Sequence, residues 1–262
     1  MKITTLIENT TLSPTLTAEH GLSLFVETAS CRFLFDAGQS GAFADNARKL
    51  GIDLKTADFA VLSHGHYDHG GGMLKFLELN RRAKLYLRED AFGTYCNGTR
   101  KYIGLDSRLR QSGRLVLTGA EHVIAPGLTL KSCNDLQHRV PTDPFGLTEQ
   151  IGSFFLPDEF RHEQYLLMEE DGNRILLSGC SHKGILNILD WFRPEVLVGG
   201  FHFKQLPPDS PQLVAYGEAM AKYNTLFYTG HCTGQPQFEV LKTILGDRLQ
   251  AITTGAVLET YA

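Results

Sequence analysis

The stretch Phe59-Ala60-Val61-Leu62-Ser63-His64-Gly65-His66-Tyr67-Asp68-His69-Gly70-Gly71-Gly72 limits what this chain can fold into more than any other. Three histidines and an aspartate fall within six positions, directly after a short apolar run. The run reads as a buried strand. Residues 73–80 read as a helix opened by the glycines. The polar cluster therefore sits where a strand ends and the chain turns, which is where α/β folds place their sites. His64 and His66, two apart, point to the same side of an extended backbone, whereas Asp68 and His69 diverge. One loop can thus offer a histidine pair to one cation and an Asp/His pair to a second. Imidazole and carboxylate suit zinc, iron or manganese at neutral pH.

Before this loop, the pattern gives strands over residues 2–8, 21–28 and 31–35, the last ending in Asp36-Ala37-Gly38. A helix follows over 42–50, with Gly51 as its terminator. After it come a strand at 83–87 and then a stretch, about 90–152, where periodicity weakens. Plausible strands remain at 114–117 and 128–132. We read this stretch as a capping insertion, the kind of segment that sets substrate choice. Regular alternation returns with strands at 165–168 and 174–177 around the hairpin signal Asp171-Gly172. Strands at 196–198 and 225–228 alternate with helices at 185–192, 211–223 and 238–245, and two short strands near 251–253 and 256–259 close the chain. Both halves run strands first and strand–helix units after, as a two-layered β core with outer helices would.

Several strands end in a polar residue beside small ones: Asp36-Ala-Gly38, Ser63-His64, Gly179-Cys180-Ser-His182, Gly200-Phe-His202 and Gly230-His231. Ends of strands running the same way converge on one rim. Each ion needs roughly four to six ligands, some of them water, and the loop alone supplies too few. His182 and His231 are the candidates to complete the set. Cys180 is either a thiolate ligand or a small packing residue. His202 either meets substrate or fills the rim, and His20 either reaches the site or caps a strand. Asp36 is placed to bond the loop or the second nitrogen of a ligating histidine. His122, His138 and His162 have no supporting context and read as surface residues.

The net charge of −4 argues against a nucleic-acid partner. No run approaches the length of a membrane span, and the polar N-terminus does not read as a secretory signal. Five scattered cysteines argue against a disulfide framework and for a reducing cytoplasm.

Taken together, Leu34-Phe-Asp36-Ala-Gly38, His64-Gly-His66-Tyr-Asp68-His69 and the later strand-end motifs resemble the metallo-β-lactamase superfamily. The resemblance implies one domain over 1–262 with the four-layer αββα sandwich of that family. The motifs Glu19-His20-Gly-Leu-Ser23, Gly179-Cys-Ser-His-Lys-Gly-Ile185, Gly200-Phe-His202 and His231-Cys-Thr-Gly234 are similar to a branch containing the archaeal dihydropterin-ribofuranosylaminobenzene phosphate synthase and bacterial hydrolases. Most of the superfamily carries a bridging aspartate where Cys180 stands. Redox-active relatives carry glutamate at the position of His66, so histidine there favours hydrolytic or Lewis-acid chemistry. The expectation is a hydrolase with two divalent ions, zinc first and iron or manganese as alternatives. Its ligands would be His64, His66, Asp68, His69, His182 and His231, with Asp68 orienting the attacking water. A small phosphorylated molecule or phosphodiester would meet His20, His202, Lys183 and the amides of Gly70–Gly72. The alternatives are a synthase condensing a pterin pyrophosphate with an aromatic amine, and a non-catalytic metal-dependent ligand sensor.

Overall fold

The structure is a computed structural model describing residues 1–170 and 172–259. Asp171, half of the expected hairpin turn, lies outside the described residues. The chain divides into two compact units. Of the described residues, the first comprises Met1–Gly119, Gly146–Gln164 and Thr253–Glu259; the second comprises Ala120–Phe145 and Tyr165–Ile252.

In the first unit a seven-stranded sheet runs in the order Val257–Glu259, Lys2–Ile7, Ser23–Glu27, Arg32–Phe35, Phe59–Val61, Lys84–Arg88, Leu115–Thr118. The first four strands are antiparallel neighbours; from Arg32–Phe35 onward the pairing is parallel. Parallel neighbours need crossovers, and the helices Ala42–Lys49 and Met73–Leu79 supply two of them. Helix Ala42–Lys49 buries Phe43, Asn46 and Ala47, one face at i, i+3, i+4. The buried Asn46 is satisfied: its amide donates to Leu6 O and Thr17 O and its oxygen accepts from Thr17 N. Gly51 ends this helix with φ +74°, a conformation open to glycine at little cost.

A four-stranded antiparallel sheet also belongs to this unit, in the order Phe154–Pro157, Leu147–Ile151, Tyr95–Asn97, Lys101–Tyr102. Tyr95, Ile103, Leu147 and Phe160 form its small core. At the end of the 90–152 stretch, Ile151 and the neighbouring Phe154 leave apolar side chains exposed (55% and 70%), which blurs the in–out alternation of the hairpin Leu147–Ile151 and Phe154–Pro157.

The second unit repeats the plan. Its sheet runs Leu249–Ala251, Leu226–Thr229, Val196–Val198, Asn173–Leu177, Tyr165–Glu170, Leu128–Lys131, Glu121–Ala125. Pairing is antiparallel from Glu121–Ala125 to Asn173–Leu177 and parallel from there to Leu249–Ala251. Helices Ile185–Phe192, Pro211–Met220 and Gln235–Leu245 make the crossovers. Their buried faces, including Ile188, Leu189, Leu213, Leu241 and Leu245, pack with Leu176, Leu197 and Phe227 of the strands. The stretch at 90–152 thus contributes strands to all three sheets. Among the described residues no helix is long and apolar enough to cross a membrane.

Candidate metal centre

In each unit the parallel strands end side by side, and the polar residues singled out above follow those ends. Four of them leave the strand in the left-handed region: Asp36 (φ +57°), Ser181 (+58°), His202 (+55°) and His231 (+50°). Non-glycine residues rarely adopt it, and such strain concentrates at functional sites.

In the first unit, Asp36 and the histidine loop form one buried network. Asp36 Oδ1 accepts from Ser63 N and Oδ2 from Ser63 Oγ, both at 2.7 Å. His69 Nδ1 donates to Oδ2 at 2.7 Å. Ser63 Oγ, its one proton committed to Asp36, accepts from His64 Nδ1 at 2.9 Å. Both His64 and His69 therefore carry their proton on Nδ1, so a metal bond must come from Nε2. Burial alone would lower the His69 pKa, but the carboxylates of Asp36, Asp68 and Glu163 outweigh it and raise the value above that of a free imidazole. The His64 ring lies 4.6 Å from that of His66 and 4.2 Å from that of His69, centroid to centroid.

The loop is tighter than a plain turn. Tyr67–Gly70 forms a single helical turn with His66 at its N-cap. Asp68 Oδ2 lies 3.2 Å from Nε2 of the exposed His20. The glycines that follow do not form an anion cradle. The amide of Gly70 donates to His66 O, that of Gly71 to Tyr67 O and that of Gly72 to Gly38 O, so none is left for a phosphate. Their smallness serves packing: a Cβ on Gly72 would lie 2.2 Å from Ala37 O.

His162 is not a surface residue. It is fully buried, accepts from Gly65 N at Nδ1 (2.9 Å) and stacks 3.9 Å from Tyr95. Its Nε2 is 3.1 Å from Asp158 Oδ2, and one donor atom each from His66, Asp158 and His162 lies within 4.8 Å of the others. Burial would raise the Asp158 pKa, yet the His162 hydrogen bond and the His66 imidazole 3.9 Å away hold the carboxyl far below the usual range. The spacing Asp158-x-x-x-His162 was the one sequence signal for this pair. His122 and His138 are half-buried, the latter beside Trp191.

In the second unit, Cys180, His231 and Cys232 are buried and bring one donor atom each within 4.8 Å of one another. Cys232 Sγ accepts from His202 N at 3.3 Å and approaches Cys180 O at 3.6 Å. A Cβ on Gly200 would lie 2.3 Å from that sulfur, which is why the strand end carries glycine there. The His182 and His202 rings lie 4.3 Å apart, tilted by 56°, beside a cavity of about 60 Å³, lined also by Pro141, Phe145 and Tyr216. Lys183, expected to face a phosphate, is instead a buried strut: its ammonium donates to Ser132 O and Asn134 Oδ1, both at 2.7 Å.

The donors gathered, buried imidazole and carboxylate in the first unit and buried imidazole and thiol in the second, suit a divalent cation of borderline softness. The tautomers of His64 and His69, fixed through Asp36, leave the nitrogen a metal requires.

The comparisons agree with this chemistry. The model of the metallo-beta-lactamase superfamily matches residues 16–93. An uncharacterised protein of Methanocaldococcus jannaschii is 30% identical over 211 residues, covering 71% of this chain and 73% of that one. The 7,8-dihydropterin-6-methyl-4-(beta-D-ribofuranosyl)-aminobenzene-5'-phosphate synthase of the same organism is 28% identical over 244 residues, covering 83% and 82%. The crystal structure of a metal-dependent hydrolase of the beta-lactamase superfamily superposes with a TM-score of 0.85 at 28% identity, covering 100% of both chains. Motif, α/β architecture and relatives lead to one assignment: this chain belongs to the metallo-β-lactamase superfamily.

Proposed function

We propose that the chain is a metal-dependent hydrolase using two divalent ions, zinc first, on a small phosphorylated molecule or phosphodiester. The observation that carries this reading is the Asp36–Ser63–His64 and Asp36–His69 network, which fixes two imidazoles in the ligating tautomer inside a buried site. We assign His64, His66, Asp68 and His69 as ligands from the first unit, and His182 and His231 from the second, where the Cys180 thiol beside His231 is either a further ligand or a packing residue. Bound ions would supply Lewis-acid polarisation of a phosphoryl or carbonyl oxygen and a water acidified toward neutral pH.

The chain's own residues do the rest. Asp68 orients the attacking water and accepts its proton at a carboxylate oxygen. His20 Nε2, 3.2 Å from Asp68 Oδ2 and exposed, passes that proton to solvent. His202, at the rim of the small cavity with His182, meets the substrate. The relative described as a metal-dependent hydrolase supports hydrolysis. The test is turnover of phosphodiester and ester panels by metal-reconstituted protein. Activity abolished by chelation and restored by metal is expected; no turnover with any divalent metal defeats the proposal.

A second reading is condensation of a dihydropterin with an aromatic amine, favoured by similarity to the archaeal synthase over more than four-fifths of both chains. Incubation with dihydropterin pyrophosphate and 4-aminobenzoate separates the two: a condensed product favours the synthase. Tight metabolite binding with no turnover in either assay would instead identify a sensor.

A further inference from the structure

The segment Asp158–Gln164 grips the histidine loop through a second set of hydrogen bonds. Gln164 N donates to Ser63 O at 2.8 Å, and its side-chain amide donates to Leu62 O at 2.8 Å. The Gln164 side-chain oxygen is itself held by Thr118 Oγ1 at 2.7 Å. Between these clamps, Gly65, flanked by His64 and His66, donates its N–H to His162 Nδ1. Gly65 has no slack: a Cβ there would lie 2.3 Å from Ala91 O, so the loop is pressed against the turn Glu89–Phe92 on one side and hydrogen-bonded on the other.

These bonds fix the chemistry of His162. Because Nδ1 accepts from a backbone N–H, it carries no proton, and the neutral ring must then hold its proton on Nε2. That proton goes to Asp158 Oδ2 at 3.1 Å, and Asp158 is oriented in turn by accepting from Phe160 N through Oδ1 at 2.7 Å. With one nitrogen accepting and the other donating, His162 in this arrangement does not ligate a cation, although its donor atoms lie near those of His66.

We propose that His162 is a positioning residue: through the Gly65 amide it sets the separation and aim of the His64 and His66 imidazoles, and Asp158 fixes the tautomer that lets it do so. This rests on the reading of His64 and His66 as metal ligands. Residues that orient ligands are commonly worth 10–100-fold in metal affinity, a range of about one to two decades.

Two measurements test it. Side-chain ¹⁵N NMR of the wild-type apo protein reads the tautomer directly, with no dependence on a variant's folding. An Nε2–H ring with bare Nδ1 is expected; an Nδ1–H ring or an imidazolium at neutral pH overturns the proposal. The second is Co(II) titration of the wild type, His162→Gln, His162→Ala and Asp158→Asn, reading both affinity and ligand-field absorption. Glutamine can accept from Gly65 and donate to Asp158, so His162→Gln should keep the wild-type spectrum and an affinity within about threefold. His162→Ala should bind about 10–100-fold more weakly with shifted bands. Asp158→Asn should behave like His162→Ala, because its amide can face Nε2 and drive the proton to Nδ1, against the Gly65 N–H. A folded His162→Ala protein with wild-type affinity and spectrum overturns the proposal. A wild type that binds no Co(II) sinks the metal reading itself, and the NMR result still decides whether His162 holds the loop as described.

Discussion

Asp36→Asn is the sharpest probe of the histidine network, because it changes hydrogen-bond chemistry while keeping shape. Asparagine tolerates the φ of +57° that Asp36 adopts, so backbone strain is held constant. The carboxylate accepts three bonds of 2.7 Å, from Ser63 N, Ser63 Oγ and His69 Nδ1, in a site with no solvent exposure. An asparagine whose oxygen keeps the Ser63 N bond turns its NH2 toward Ser63 Oγ and His69 Nδ1. The serine hydroxyl can rotate and accept. His69 cannot, unless its proton moves to Nε2, the nitrogen a metal needs. Losing one charge-assisted buried bond and stranding its donor costs about 2–4 kcal/mol. If the tautomer switches instead, the fold is spared and metal affinity falls about 10–100-fold. Urea unfolding of the apo protein and zinc competition against a chromophoric chelator read the two outcomes separately. A variant within about 0.5 kcal/mol of wild type that also keeps its zinc affinity would refute the reasoning.

Three further expectations follow from other parts of the chain. Asp190 accepts from Tyr223 Oη and pairs with Arg139 at 2.9 Å; burial would raise its pKa, but these partners lower it. Because that pKa is depressed on folding, the stabilisation is present above the unfolded carboxylate value of about 4 and is lost as pH falls through the folded one. Asp190→Asn should thus cost up to about 1 kcal/mol at neutral pH after solvent screening, with the gap closing in acid, and a gap unchanged in acidic urea titrations contradicts this. Gly65→Ala forces a Cβ to 2.3 Å from Ala91 O and should destabilise by about 1–3 kcal/mol, whereas Gly113→Ala, with nothing within 4 Å, should be near neutral; equal melting temperatures would be contrary. If Cys180 ligates a cation, cobalt-substituted protein shows a thiolate-to-metal charge-transfer band that Cys180→Ser weakens or removes, and a band at wild-type intensity in that variant excludes the thiol.

What the sequence made legible was local. The apolar run before His64, the helical spacing at Phe43 and Ala47 and the glycine and proline boundaries are signals read within a few residues, and the strands and helices formed where those signals lay. Asp36 was legible because a strand end of polar and small residues is a compact motif. His162 was not, because its partner Gly65 is 97 positions away and its own neighbours, Arg161, Glu163 and Gln164, look like a solvated run. Glu163 and Gln164 are in fact buried, and the Gln164 amide is satisfied by backbone oxygen distant in sequence. Lys183 misled for the same reason. A lysine beside a rim histidine suggests an anion, and only the fold reveals that Ser132 O and Asn134 Oδ1 accept its hydrogen bonds. The Gly70–Gly72 run looked like an anion-binding helix start, yet its amides are consumed by a preceding helical turn and by Gly38, a pairing that glycine count alone cannot reveal.

Anomalous diffraction from crystals grown with excess zinc locates a cation held by the Asp36-anchored imidazoles. Peaks are expected about 2.0–2.1 Å from Nε2 of His64 and of His69, with Nδ1 of each still bonded to Ser63 and Asp36 respectively. Crystals that show these imidazoles without a peak, or with a peak on Nδ1, would contradict their assignment as ligands.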